Sequence, residues 1–208
     1  MDYLLGVDVG SLSTKIILAD TEGNIRVSLS KEHSVHHPHP GWSEHDPQRD
    51  WWDDFVSLTQ ELLAGSGIHK NEIAAVGIVG AFPSPCIVTA DGIPLRNAIL
   101  YSDNRAEHIL EEISQTWGLE LTGDDITPRL LWLKRNQPEL LTQTKMILNA
   151  HSFIVYRLTG VYSIDFATAT WLGGLYDYTK QGWDAERCAQ IGISESILPP
   201  VFPADAQP

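Results

Sequence analysis

The first thirty residues read as three strands. Residues 3–9 form a mostly apolar run, residues 15–19 a second, and residues 25–29 alternate between apolar and polar. That is the period of strands. The joint Asp20-Thr21-Glu22-Gly23-Asn24 is made of turn-forming residues, so the three runs predict an antiparallel meander. After a His- and Pro-rich loop over 33–45, Asp46-Pro47 reads as a helix N-cap followed by proline at the first helical position. Trp52, Phe55, Val56, Thr59, Leu62 and Leu63 then recur on one face of a 3.6-period helix, which Gly65 and Gly67 stop. Residues 73–79 form a near-continuous apolar strand, as expected where both faces of a sheet are covered. Ala106, Ile109, Leu110, Ile113 and Trp117 predict a second amphipathic helix. Residues 128–136 predict a short helix, 145–149 a strand, and 151–158 a helix ended by Gly160. A meander followed by alternating helices and strands predicts an α/β fold, a mixed sheet flanked by helices. Residues 199–208 contain four prolines and no periodicity, and read as a linker-like tail behind a domain over 1–198.

Composition narrows this picture. A chain of 208 residues is one large domain or two small ones. Fourteen basic against 27 acidic side chains leave a formal charge of −13. That argues against a nucleic-acid partner, since neutralising phosphates along a broad surface takes clustered Lys and Arg. One small pocket can still hold a nucleotide. The longest apolar run, residues 73–82, includes two glycines and is too short to span a bilayer. Met1-Asp2-Tyr3 lacks the basic start of a signal peptide. Cys86 and Cys188 lack metal-ligand or disulfide-framework spacing. The expectation is a soluble, cytoplasmic protein with no membrane partner. His33, His36, His37, His39 and His45 match no zinc spacing, so a metal there is not expected.

The sharpest chemistry lies in Asp8-Val9-Gly10-Ser11-Leu12-Ser13-Thr14-Lys15, between the first two predicted strands. Inward-facing amides of such a turn make an anion site, glycine admits a phosphate closely, and Lys15 adds a point charge. Asp8 would repel a phosphate unless a cation such as Mg²⁺ lay between them. The spacing is not that of a Walker loop. A serine-rich hairpin with Asp8 bonded to backbone amides would read the same way locally.

Several stretches resemble the FGGY carbohydrate kinases, nearest to the xylulokinase branch. The Asp8–Lys15 octet resembles the first phosphate motif of the ribonuclease-H-like (actin-like ATPase) fold. With it come Pro40-Gly41-Trp42-Ser43-Glu44-His45-Asp46-Pro47, Trp51-Trp52, Ala98-Ile99-Leu100-Tyr101-Ser102-Asp103-Asn104-Arg105-Ala106, Arg129-Leu130-Leu131-Trp132, and Arg157-Leu158-Thr159-Gly160 leading to Asp165. The likeness runs from about Tyr3 to Pro200 in family order.

The resemblance implies ATP- and Mg²⁺-dependent transfer of the γ-phosphoryl group to a sugar or polyol hydroxyl. Asp8 would organise Mg²⁺ and the phosphates. Gly10, Ser11, Ser13, Thr14 and Lys15 would face the nucleotide. Phe82, Pro83, Tyr101, Asp103, Arg105 and Asp165 would belong to the acceptor pocket. For Asp103 and Arg105 the residues alone also allow a helix cap and an ion pair, and for Asp165 a turn cap. Where xylulokinases usually read Gln-Met-His-Gly this chain reads Ala81-Phe82-Pro83-Ser84, and Tyr101 stands where the family usually has Trp. The acceptor therefore extends to other ketoses, polyols or sugar acids. The family's catalytic base, an Asp in a Gly-Asp-x-x-Ala-type motif, does not occur before Pro208. The expectation is an N-terminal domain without its C-terminal nucleotide-clamping partner, inactive alone and compatible with a homodimer. Two alternatives keep the fold: a non-catalytic ligand- or partner-binding module, and a phosphatase or other ATPase.

Overall fold

The computed structural model describes residues 2–203. Strands β1 (Tyr3–Val9), β2 (Ser13–Asp20) and β3 (Ile25–Glu32) form the expected meander, antiparallel throughout. The Asp20 carboxylate closes its second turn, accepting from the amides of Glu22 and Asn24 and from Arg26. The His-rich loop leads to a two-residue strand, β4 (Glu44–His45). Asp46 then caps a wide, π-type helical segment, Pro47–Asp53, by accepting from the amides of Gln48 and Arg49. This runs directly into α1 (Asp54–Ser66), which ends at Gly67 with φ 71°. Gly65 lies inside the helix, so only the second of the two glycines is the stop.

Strand β5 (Ile73–Gly80) pairs with β1 in parallel, giving the order β3-β2-β1-β5. Period-two alternation sends Leu5, Val7, Val9, Ile16 and Leu18 to one face. There they pack with Trp51, Phe55, Leu58 and Leu62 of the capped helix. Each fully buried side chain of this kind contributes roughly 1.5–3 kcal/mol. The expectation that both faces of β5 are covered is not met. The strand lies at the edge of the sheet among the described residues, and Val76 and Val79 are exposed, Val79 by 62%. Its apolar content comes from Ala74, Ala75 and Gly77 as much as from large side chains, a composition that does not require cover.

The remaining elements divide between this first core, which also takes Cys86, Val88, Met146, Leu148, Phe153 and Ile154, and a second one. They are β6 (Cys86–Val88), β7 (Ala98–Ile99), α2 (Glu107–Trp117), α3 (Ile126–Asn136), α4 (Pro138–Gln143), β8 (Met146–Leu148) and α5 (Ala150–Thr159). β6 pairs with β8 and β4 with β7, both antiparallel. Beyond them lie β9 (Ile164–Asp165), α6 (Phe166–Thr170), the hairpin of β10 (Tyr176–Asp177) and β11 (Gly182–Trp183), and α7 (Ala185–Gln190). Ile109, Ile113, Ile126, Leu130, Leu172, Leu175 and Cys188 meet in the second core. The tail departs from the linker reading at its start. β12 (Val201–Phe202) pairs in parallel with β9, and the Ile164 amide donates to Pro200 O. Residues 204–208 lie outside the described residues.

Candidate functional site

The β1–β2 turn projects from the end of the sheet. The Gly10 amide donates to Ser13 O at 2.9 Å, and a side chain at position 10 would meet that oxygen at 3.0 Å. The turn itself therefore favours glycine, whose N–H is spent inside it. The amides of Ser11 and Leu12 donate to no protein acceptor among the described residues. Asp8 and Lys15 face each other as cross-strand neighbours, both exposed. Neither side chain has a hydrogen bond or ion pair among the described residues. An open groove of about 780 Å³ beside the turn is lined by Leu12, Ser13, Lys15, Ser30, Glu32 and His33.

Thr14 departs from its expected role. Strand alternation turns its side chain to the buried face, so its hydroxyl cannot reach an anion in the turn.

The other side of the turn meets the Tyr101 loop, where Ser11 Oγ lies 3.5 Å from Tyr101 Oη. Tyr101 lines a cavity of about 210 Å³ with Asp103, Asn104, Glu107, Asp124 and Arg129. Asp103 and Arg105 come together as the sequence suggests, but they are occupied with each other. Arg105 Nε and Nη2 bind the two Asp103 oxygens at 2.8 and 2.7 Å, and Nη2 also reaches Glu44 Oε1 at 2.7 Å. Ser43 N donates to Asp103 Oδ2 at 2.6 Å, and Arg96 also pairs with Glu44. Both side chains of the pair are fully buried, and the Arg105 guanidinium stacks on the Trp42 ring at 3.7 Å. This is a structural network that shapes the cavity wall, not a free polyol-binding fork. Glu44, the second acid of this network, comes from the preceding strand β4.

Arg129 was legible only as part of an Arg-Leu-Leu-Trp stretch. Buried in the wall, it donates to Asp125 O at 2.8 Å and Tyr101 O at 2.6 Å. Its Nε has no partner among the described residues. Phe82 is half-buried against the second core and Pro83 is buried, joined by a cis peptide bond. Neither lines the cavity.

Asp165 also lies outside the cavity lining. It caps α6 through the Thr168 amide at 2.9 Å and pairs with His151 at 3.5 Å. Burial pushes its carboxyl up, but the His151 and Thr168 hydrogen bonds outweigh that and hold it well below the usual carboxylate range. The turn-cap alternative is the one the geometry favours.

The donor set of the turn fits a phosphate with a divalent cation: a free carboxylate, a free ammonium and two free amides. No group of three or more His, Cys, Asp or Glu among the described residues is arranged to hold a metal. A cation at Asp8 would draw the rest of its shell from phosphate oxygens and water, the usual habit of Mg²⁺. No helix among the described residues is long and apolar enough to cross a membrane.

Residues 3–207 match the family model described as the FGGY family of carbohydrate kinases, N-terminal domain. Glycerol kinase of Thermococcus kodakarensis is 32% identical over 96% of this chain and 42% of its own length. Xylulose kinase of Bacillus subtilis is 29% identical over 97% of this chain and 42% of its own length. A solved xyloylose kinase from Brucella ovis superposes with TM-score 0.88 at 26% identity, covering 96% of this chain and 43% of that one. The chain thus spans under half the length of the relatives it matches.

Proposed function

The chain belongs to the FGGY family of carbohydrate kinases, and from that premise we propose that it serves ATP-dependent transfer of the γ-phosphoryl group to a hydroxyl of a ketose or polyol, in a xylulokinase-like manner. The observation that carries this reading is the contact between the two halves of the site. The turn that carries the unpartnered Asp8 and Lys15 side chains touches the Tyr101 wall of the small cavity through Ser11. Phosphoryl transfer is mostly positioning and charge neutralisation, so a phosphate cradle abutting an acceptor cavity is the arrangement it needs.

In this reading the Ser11 and Leu12 amides and the Lys15 ammonium take the nucleotide phosphates, and the Asp8 carboxylate holds Mg²⁺. The cation supplies neutralisation of phosphate charge. Tyr101 gives the acceptor an apolar face and a hydroxyl, and the buried Asp103–Arg105–Glu44 network keeps its loop in place. The general base and the adenosine pocket are expected from outside these residues, leaving the 208-residue chain inactive alone. A cavity of about 210 Å³ suits a small acceptor, and the similarity to glycerol and xylulose kinases brackets its size.

One observation favours the non-catalytic binding module instead. Asp103 and Arg105 are committed to each other and to Glu44, and Pro83 is buried and carries no polar side chain, which leaves few of the expected groups to select a sugar. Mg-ATP consumption by the full-length protein over a panel of ketoses, polyols and sugar acids decides between them. Stimulation by at least one acceptor supports the kinase; none supports the binding module.

A further inference from the structure

Every backbone carbonyl of the turn from Val9 to Ser13 is held by a protein donor. Val9 O accepts from the Ala81 amide at 2.7 Å, and Ser13 O from the Gly10 amide. The three between them are held from the His-rich loop. His33 Nε2 meets Gly10 O at 3.0 Å, His45 Nε2 meets Ser11 O at 3.0 Å, and the His33 amide donates to Leu12 O at 3.0 Å. In a trans peptide the N–H points opposite to the C=O. Drawing the oxygens of residues 10, 11 and 12 toward the histidines therefore aims the amides of Ser11, Leu12 and Ser13 the other way. An anion site needs this, because a carbonyl turned toward the phosphate would repel it.

We propose that His33 and His45 are positioning residues for the turn: they clamp its carbonyl side so that the consecutive amides of Ser11 and Leu12 face a nucleotide phosphate. The inference rests on reading that turn as the phosphate site.

Both rings are themselves fixed. Trp51 Nε1 donates to His45 Nδ1 at 3.0 Å, which makes Nδ1 the acceptor and leaves the proton on Nε2, facing Ser11 O. Burial, then the neighbouring His33, lowers the His45 pKa to about 4, so the ring is neutral near pH 7 and holds that tautomer. His33 Nδ1 sits 2.9 Å from Asp54 Oδ2, and Lys31 binds the other Asp54 oxygen at 2.7 Å. The two imidazoles meet edge to face at 4.8 Å. Trp51 and Asp54 lie on the helix that Asp46 caps directly after His45, so one continuous helical segment orients both clamps. Two of the five histidines that match no zinc spacing thus acquire a role.

The test uses the full-length protein, kinetically and by ¹⁵N-histidine NMR. His33→Leu and His45→Leu remove the donors, whereas His45→Gln keeps an N–H able to reach Ser11 O. Each Leu variant is expected to raise KM for Mg-ATP by about tenfold or more with acceptor KM within about twofold, and Gln at 45 to recover most of that. In the unaltered protein both rings should carry a proton on Nε2, a readout independent of turnover and of whether a variant folds. His45 protonated only on Nδ1 overturns the proposal. So do Leu variants that melt like the parent and keep its Mg-ATP KM. If no acceptor stimulates ATP use but both rings carry Nε2 protons, the kinase reading fails and the clamp stands.

Discussion

Ser11 Oγ and Tyr101 Oη stand 3.5 Å apart, joining residues 90 positions apart in the chain. At that distance the contact is a weak bond at best, and its value is spatial. It places the tip of the β1–β2 turn against the cavity wall, so a group held by the turn lies beside anything held in the cavity.

The first prediction follows from that placement. Tyr101→Phe keeps the ring and loses a partly exposed hydroxyl, so stability should change by less than about 0.5 kcal/mol. Tyr101→Ala removes the wall and should raise acceptor KM by about tenfold or more. Mg-ATP KM should stay within about twofold, because the turn loses only one weak contact and keeps its strand and histidine bonds. Steady-state kinetics with both substrates varied checks the split. Equal rises in the two constants would contradict it.

Arg105 carries the second. Its guanidinium is fully buried against Asp103, Glu44 and the Trp42 face. Arg105→Met leaves two buried carboxylates without their shared cation and should cost about 3–5 kcal/mol. Arg135 pairs with Glu112 on the surface, both side chains roughly half exposed, and Arg135→Ala should leave the urea midpoint unmoved. Urea unfolding of the two variants side by side measures the contrast.

The third concerns pH. The His45 pKa is lowered from 6.5 to about 4 in the folded state, first by burial and then by His33. Between those values the unfolded chain binds a proton that the folded chain excludes. The contribution is complete above about pH 6.5 and is lost as pH falls toward 4, at most on the order of 3 kcal/mol. Urea midpoints from pH 7 down to pH 4 should fall faster for the parent than for His45→Gln. Parallel curves would remove His45 as the cause.

Local patterns made the frame readable from sequence. Two apolar runs and one alternating run marked β1 to β3, Asp46-Pro47 marked a capped start, and Gly160 stopped α5 with φ 75°. Asp8, Ser11 and Lys15 could be singled out as candidates as well, because a turn concentrates its chemistry within a few residues. What escaped is long-range. Arg105 meets Glu44 across 61 positions, and no local signal separates a ligand-binding fork from an internal ion pair. Thr14 is a hydroxyl like Ser13, and only the pleat tells that one faces in and the other out. β12 looked like linker because four prolines mask a two-residue strand whose partner is β9. The short elements between residues 161 and 198 carry too few positions to show a period. The clamp of His33 and His45 on the turn depends on backbone oxygens, which sequence does not display.

The central claim is that the Asp8–Lys15 turn organises a Mg-nucleotide phosphate beside the acceptor cavity. Asp8→Asn removes the charge while keeping the shape, at an exposed carboxylate with no partner among the described residues. The direct measurement is phosphoryl transfer and acceptor binding by this variant in the full-length protein. The account predicts a fall in kcat of about a hundredfold or more, with acceptor affinity within about twofold. An unchanged rate, or equal losses of transfer and acceptor binding, would contradict it.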